Sequence, residues 1–269
     1  MPVFAVIAVC TYMVSLLLIV PGQVRKQPFY RRLAILLAVI ALVTHAITLK
    51  LLIFSEAEGQ NLTLLNLGSA VSLLMCVIMT VVAYWGKAWY LTPIVYSFAI
   101  INLMLSTIMP GEFITHLEAS VPLFVHIGLA LLSYATLLIA ALYALQVALI
   151  DHQLKNKTLK FSPDMPPMMV VERKMFHITQ VGVILLTLTL CTGFIYMDNI
   201  FGKENIHKSV LSVIAWFVYI TLLWGHFHGG WRGKRVLFFH VGGSIILTMA
   251  FFGNRLIQEF IIFWQLNHH

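Results

Sequence analysis

The chain has 269 residues, of which 60% are hydrophobic and only 10% charged. Soluble domains carry about 25% charged residues, and the apolar runs here reach the roughly 20 residues that cross a bilayer, so a soluble globular fold is excluded and an integral membrane protein is implied. The formal charge of +7 does not point to a nucleic-acid partner, because membrane proteins gather Lys and Arg in their cytoplasmic loops.

The first apolar run, Met1 to Val20, has no Lys or Arg before it and is followed by Arg25, Lys26, Arg31 and Arg32. A cleaved signal needs a basic start, so this run reads as a retained helix. Hydropathy then divides the chain into eight spans, roughly 3–21, 33–54, 62–84, 89–109, 121–150, 175–197, 208–225 and 236–253. With the N-terminus outside, 13 of the 17 cations fall in cytoplasmic loops and only Lys50, Lys203, Lys208 and Arg255 lie outside. That bias predicts an N-out, C-out topology. The one sizeable loop, 151–174, is basic, and Pro163, Pro166 and Pro167 keep it from being a single helix. The C-terminal RLIQEFIIFWQLNHH is expected to form an interfacial helix with Trp264 at headgroup depth. No repeat or low-complexity tract interrupts the pattern. The expected fold is all-α, a polytopic membrane helical bundle of about eight transmembrane helices, forming one domain over 1–269. Cys10, Cys76 and Cys191 lie far apart inside apolar runs, with no CxxC and no CxxCH. They read as buried small hydrophobes, not as a thiol pair or a c-type haem attachment site.

Histidine is the side chain here best suited to hold a metal or a haem iron. His45 lies 13 residues after Arg32, which at about 1.5 Å per residue is near mid-membrane. His126 opens span five on the outer side. His177 begins span six, His226 and His228 end span seven, and His240 lies about a turn into span eight, all on the inner side. His116 and His207 fall in outer loops, and His152 in the basic loop reads as solvated. The pattern thus predicts an inner-side cluster of His177, His226, His228 and His240 and an outer-side set of His126, His116 and His207. An intramembrane histidine alone reads equally well as a helix–helix hydrogen bond, and a loop histidine as merely solvated. His226 and His228 point about 200° apart on a helix, so only one faces a shared ligand unless the helix has already ended, as Gly229 and Gly230 suggest. There is no HExxH and no mid-span carboxylate, which argues against a zinc hydrolase and a cation pump. Arg232 and Arg235 are available to carboxylates such as haem propionates, and equally serve as positive-inside anchors. Trp216, Tyr219, Trp224 and Trp231 read either as haem neighbours or as interfacial aromatics.

Four stretches also carry a resemblance. They are VHIGLALLSYATLLIAALYAL (125–145), LLTLTLCTGFIYM (185–197), AWFVYITLL (215–223) and GWRGKR (230–235), supported by GSAVSLLM at 68–75. In this order they resemble the cytochrome c assembly superfamily of the CcsA, CcmC and HemX type, and within it the YpjD-type bacterial inner-membrane proteins. The resemblance implies a multi-pass inner-membrane protein that handles haem b as an assembly or accessory factor, without enzymatic activity. It matches His126 to the family's external haem-facing histidine and His45 to a histidine of its early span. The chain departs from the family at the loop DNIFGKENIHKS, where haem-exporting members carry the tryptophan-rich WGxxWxWDxKE. The family's intramembrane histidine falls here on Trp224, with His226 and His228 two and four residues later. The candidate haem-iron ligands are therefore a subset of His126, His45, His226, His228, His240 and His177, with the bilayer and haem as partners. Two other readings are a HemX-like regulator acting through a membrane or cytoplasmic protein partner at 151–174, and a transporter or transporter subunit using intramembrane histidines as proton relays.

Overall fold

In a computed structural model, residues 2–25, 30–54, 59–86, 89–109, 111, 113–115, 121–156, 167–196 and 206–267 are described. Long uninterrupted apolar segments must satisfy their backbone internally, and helices do so. The described residues form α1 (Pro2–Arg25), α2 (Arg31–Ile53), α3 (Leu64–Gly86), α4 (Thr92–Ile108), α5 (Val121–Lys155), α6 (Met168–Tyr196), α7 (Ile206–Gly229) and α8 (Lys234–Asn267). Seven are long and apolar enough to cross a membrane. The remaining one, α4, is apolar but has 17 residues, the lower limit for a span. The all-α polytopic bundle expected from hydropathy is the fold observed.

Three details differ from expectation. α6 starts at Met168, earlier than the span predicted from residue 175, because Pro167 starts the helix: the Val170 and Val171 amides return to its carbonyl at 2.8 and 3.3 Å. α8 continues to Asn267, so the C-terminal stretch is an extension of the last span and not a separate interfacial helix; the Trp264 side chain lies outside the described residues. The connections α2–α3 and α4–α5 carry a short antiparallel strand pair, β1 (Gln60–Asn61) against β2 (Ile114–Thr115). Asn61 ties it down, donating to the Gly111 carbonyl at 2.8 Å and accepting the Phe113 amide at 3.0 Å. The cysteines are a correction: Cys76 is buried but Cys10 and Cys191 are exposed. In a bilayer the outer face of a helix is as apolar as its core, so apolar surroundings in sequence do not predict burial.

The helices fall into two compact units, α1 to α4 and α5 to α8. In the first, α1 packs on α2, α2 on α3, α3 on α4 and α4 back on α1, closing a ring. Ala34, Ala38, Ala41 and His45 form the buried stripe of α2. The three alanines let α1 approach closely enough for the Ser15 hydroxyl to reach the Ala34 carbonyl at 3.1 Å. The second unit has the same neighbour order among its own helices. Gly182 on α6 admits α5: a Cβ there would stand 2.6 Å from Leu137 Cδ2, and the Ser133 hydroxyl donates to the Gly182 carbonyl at 3.2 Å. Tyr134 on α5 meets Thr248 on α8 at 2.8 Å, and Trp216 on α7 donates to Thr187 on α6 at 2.9 Å. These contacts fix the registers of α5 to α8, and thereby the surroundings of five of the six candidate histidines described below.

Candidate functional site

In the first unit, His45 is fully buried. Its Nε2 lies 2.9 Å from the Ser69 hydroxyl, and its Nδ1 is 3.5 Å from the Tyr12 hydroxyl, at the outer limit of hydrogen bonding. Tyr12 packs on Tyr96 with ring centroids 5.2 Å apart, and the Tyr96 hydroxyl meets Thr80 at 2.7 Å. His45 thus sits in a polar core that joins α1, α2 and α3. Both of its nitrogens face hydroxyls, which is what a helix-linking histidine requires.

His126 stands near the start of α5 and is half-buried. Its Nδ1 is 3.1 Å from the Thr192 hydroxyl on α6. That hydroxyl also lies 3.0 Å from the Thr189 carbonyl; when it gives its hydrogen there, it accepts from the imidazole. In the tautomer with the proton on Nδ1, Nε2 carries the lone pair. Gly193 makes room for the ring: a Cβ there would come 3.1 Å from His126 Cε1 and 4.0 Å from Nε2. Thr192 and Gly193 were not singled out as functional in the sequence. The available signal was that two of the resembling stretches, VHIG and CTGF, meet at this point.

At the other end of the second unit, His240 on α8 is fully buried. Its Nδ1–H donates to the Val236 carbonyl and its Nε2 meets the Thr179 hydroxyl, each at 2.9 Å. Both nitrogens are engaged, so His240 links α8 to α6. His226 on α7 is half-buried. Its Nδ1–H donates to the Trp231 carbonyl at 3.2 Å, and Nε2 has no hydrogen-bond partner among the described residues. Its ring stacks on Phe176 with centroids 3.4 Å apart and an interplanar angle of 13°. Phe176 also meets His240 edge-on at 6.3 Å.

The predicted inner cluster is therefore half assembled. His226 and His240 flank Phe176, whereas His177 and His228 are exposed. α7 does not end before His228, as its glycines suggested, but runs to Gly229. The two histidines consequently point to different faces, and His228 stacks on the exposed Trp224 at 5.7 Å. His152 is exposed beside Asn156, and His207 is exposed; His116 lies outside the described residues. Arg232 is 3.5 Å from Glu172 of α6, an intramolecular partner that the sequence reading did not assign to it. Among the described residues no group of three or more His, Cys, Asp or Glu converges as a metal site. A bare metal ion needs several protein ligands, whereas haem iron needs one or two axial ones. Isolated imidazoles with a free Nε2 fit the second case.

Residues 33–262 match the family described as "Cytochrome C assembly protein". The chain is 63% identical to "Inner membrane protein YpjD" of Escherichia coli strain K12 over 262 residues, 97% of this chain and 100% of that protein. It is 24% identical over 194 residues to a 28.8 kDa protein of Azospirillum brasilense, covering 70% of this chain and 72% of the other. It is 23% identical over 159 residues to "Cytochrome c biogenesis protein CcsA" of Synechococcus sp. strain CC9902, half of this chain and 52% of the relative. No solved structure matches the chain.

Proposed function

Since the chain belongs to the cytochrome c assembly protein family, we propose that this multi-pass protein of the bacterial inner membrane binds or passes haem b, as an assembly or accessory factor. The relatives support a membrane protein related to cytochrome c biogenesis. The haem reading rests above all on the seat of His126. Its Nδ1 faces the Thr192 hydroxyl and Gly193 clears space for its ring; with the proton given to Thr192, Nε2 is left as a lone pair at one end of the second unit. A ligand histidine is held in this way, with the second nitrogen hydrogen-bonded so that tautomer and ring orientation are set. His226 is held on the same principle at the other end, by the Trp231 carbonyl and the face of Phe176.

Haem, if bound, would supply an iron that takes imidazole nitrogen as a ligand. The protein's part is to present Nε2 of His126 and His226 and to exclude water with the surrounding apolar helices. His45 and His240, with both nitrogens hydrogen-bonded inside the bundle, act in structure instead. The loop after Tyr196 has no tryptophans, and we place the chain among accessory factors for that reason; residues 197–205 lie outside the described ones, as do residues 157–166 of the basic loop read as a partner surface.

The test is the visible spectrum of protein purified from haem-replete cells. A Soret band is expected. His126→Ala and His226→Ala each lower haem content or convert six-coordinate iron to five-coordinate, while His152→Ala changes nothing. Losing a membrane hydrogen bond costs only about 0.6 kcal/mol, so both variants still fold. A wild-type spectrum and yield in both, or no Soret band in the parent, overturns the proposal.

A further inference from the structure

α7 ends at Gly229 and α8 begins at Lys234, so residues 230–233 make the whole connection. Gly230 and Gly233 have φ of 59° and 66°, the left-handed region that glycine occupies at no steric cost. Between them the Trp231 amide returns to the Gly225 carbonyl at 3.1 Å. The indole lies on bare backbone: a Cβ at Gly229 would stand 2.9 Å from its Nε1, and one at Gly225 would clash with the six-membered ring. Its other neighbour is Phe239, with centroids 5.2 Å apart. Arg232 then reaches across to Glu172 on α6. The turn is held by its glycines, by the seated indole and by this ion pair.

The Trp231 carbonyl is therefore a fixed acceptor, and it lies 3.2 Å from His226 Nδ1. An unconstrained neutral imidazole populates both tautomers. One whose N–H is given to a fixed carbonyl keeps the proton on Nδ1 and presents Nε2 as the lone pair. We infer that Trp231 is a positioning residue for His226: its seat on Gly225 and Gly229 aims a backbone carbonyl that selects the Nδ1–H tautomer and orients Nε2 away from the turn. What Nε2 then binds rests on the haem reading above; the tautomer does not.

The experiment is nitrogen NMR of the full chain, haem-free, labelled at histidine and held in detergent micelles at mildly alkaline pH. The His226 resonances are assigned by their loss in His226→Gln. In the parent they should report the proton on Nδ1. Gly225→Ala and Trp231→Ala should both convert the signal to mixed tautomers, while Gly128→Ala, whose methyl would meet nothing within 4 Å, leaves it unchanged. In haem-loaded protein Gly225→Ala should weaken haem retention about tenfold or more, as loss of a ligand's hydrogen-bond partner does. A parent with its proton on Nε2 overturns the inference even if neither variant folds. So does an unchanged tautomer in both variants. An Nδ1–H parent without any Soret band upholds the positioning role and defeats the haem reading. A Soret band that falls in His226→Gln, with tautomers unmoved in Gly225→Ala and Trp231→Ala, does the reverse.

Discussion

Gly182→Ala probes the closest approach between α5 and α6. The added methyl would lie 2.6 Å from Leu137 Cδ2, 2.7 Å from its Cγ and 3.4 Å from Thr136 Cγ2. Carbon atoms pack best at about 3.5–4.0 Å, and Leu137 is fully buried, so its side chain has nowhere to turn. The helices must part locally by about 1 Å. Overpacking of this kind costs about 1–3 kcal/mol. The bond from the Ser133 hydroxyl to the Gly182 carbonyl, at 3.2 Å, would be lost with it, adding about 0.6 kcal/mol. Against this stands the gain from replacing glycine inside a helix, about 0.5–1 kcal/mol. Gly128→Ala on α5 brings the same gain and no contact within 4 Å, so it is the reference. The two substitutions should differ by about 1.5–3.5 kcal/mol in unfolding by increasing sodium dodecyl sulfate in mixed micelles, followed by circular dichroism. Gly182→Ala should unfold earlier than the parent, and Gly128→Ala no earlier. Equal midpoints for the two would show that α5 and α6 do not meet at Gly182 and would refute this packing.

The distribution of cations implies that both termini face outward, so a reporter active only outside the membrane should work when fused after His269 and fail when fused at Lys157; the reverse result would overturn the topology. His45→Ala and His240→Ala each remove a fully buried, hydrogen-bonded imidazole and should cost about 1–3 kcal/mol in the same unfolding assay, with no change in the ligation signature of bound haem. A changed signature would move those residues from structure to ligation.

The fold class was legible from composition because hydropathy is local: about 20 apolar residues in a row require a helix wherever they end up. Span positions followed to within a few residues, except where Pro167 starts α6 and where α8 runs on past its predicted end. Two of the resembling stretches, read as separate helices, are also the ones that meet at His126. What the sequence did not contain was the facing of each helix. Lipid is as apolar as the bundle interior, so no hydrophobic stripe marks the inward side. That is why Cys10 and Cys191 turned out exposed, and why periodicity could say that His226 and His228 diverge but not which one faces Phe176. Helix facing is decided by where glycines let neighbours approach and where polar groups find partners. Only the packed structure brings Thr192 and Gly193 to His126, 66 and 67 positions along the chain, and only the folded turn lays Trp231 on Gly225 and aims its carbonyl at His226.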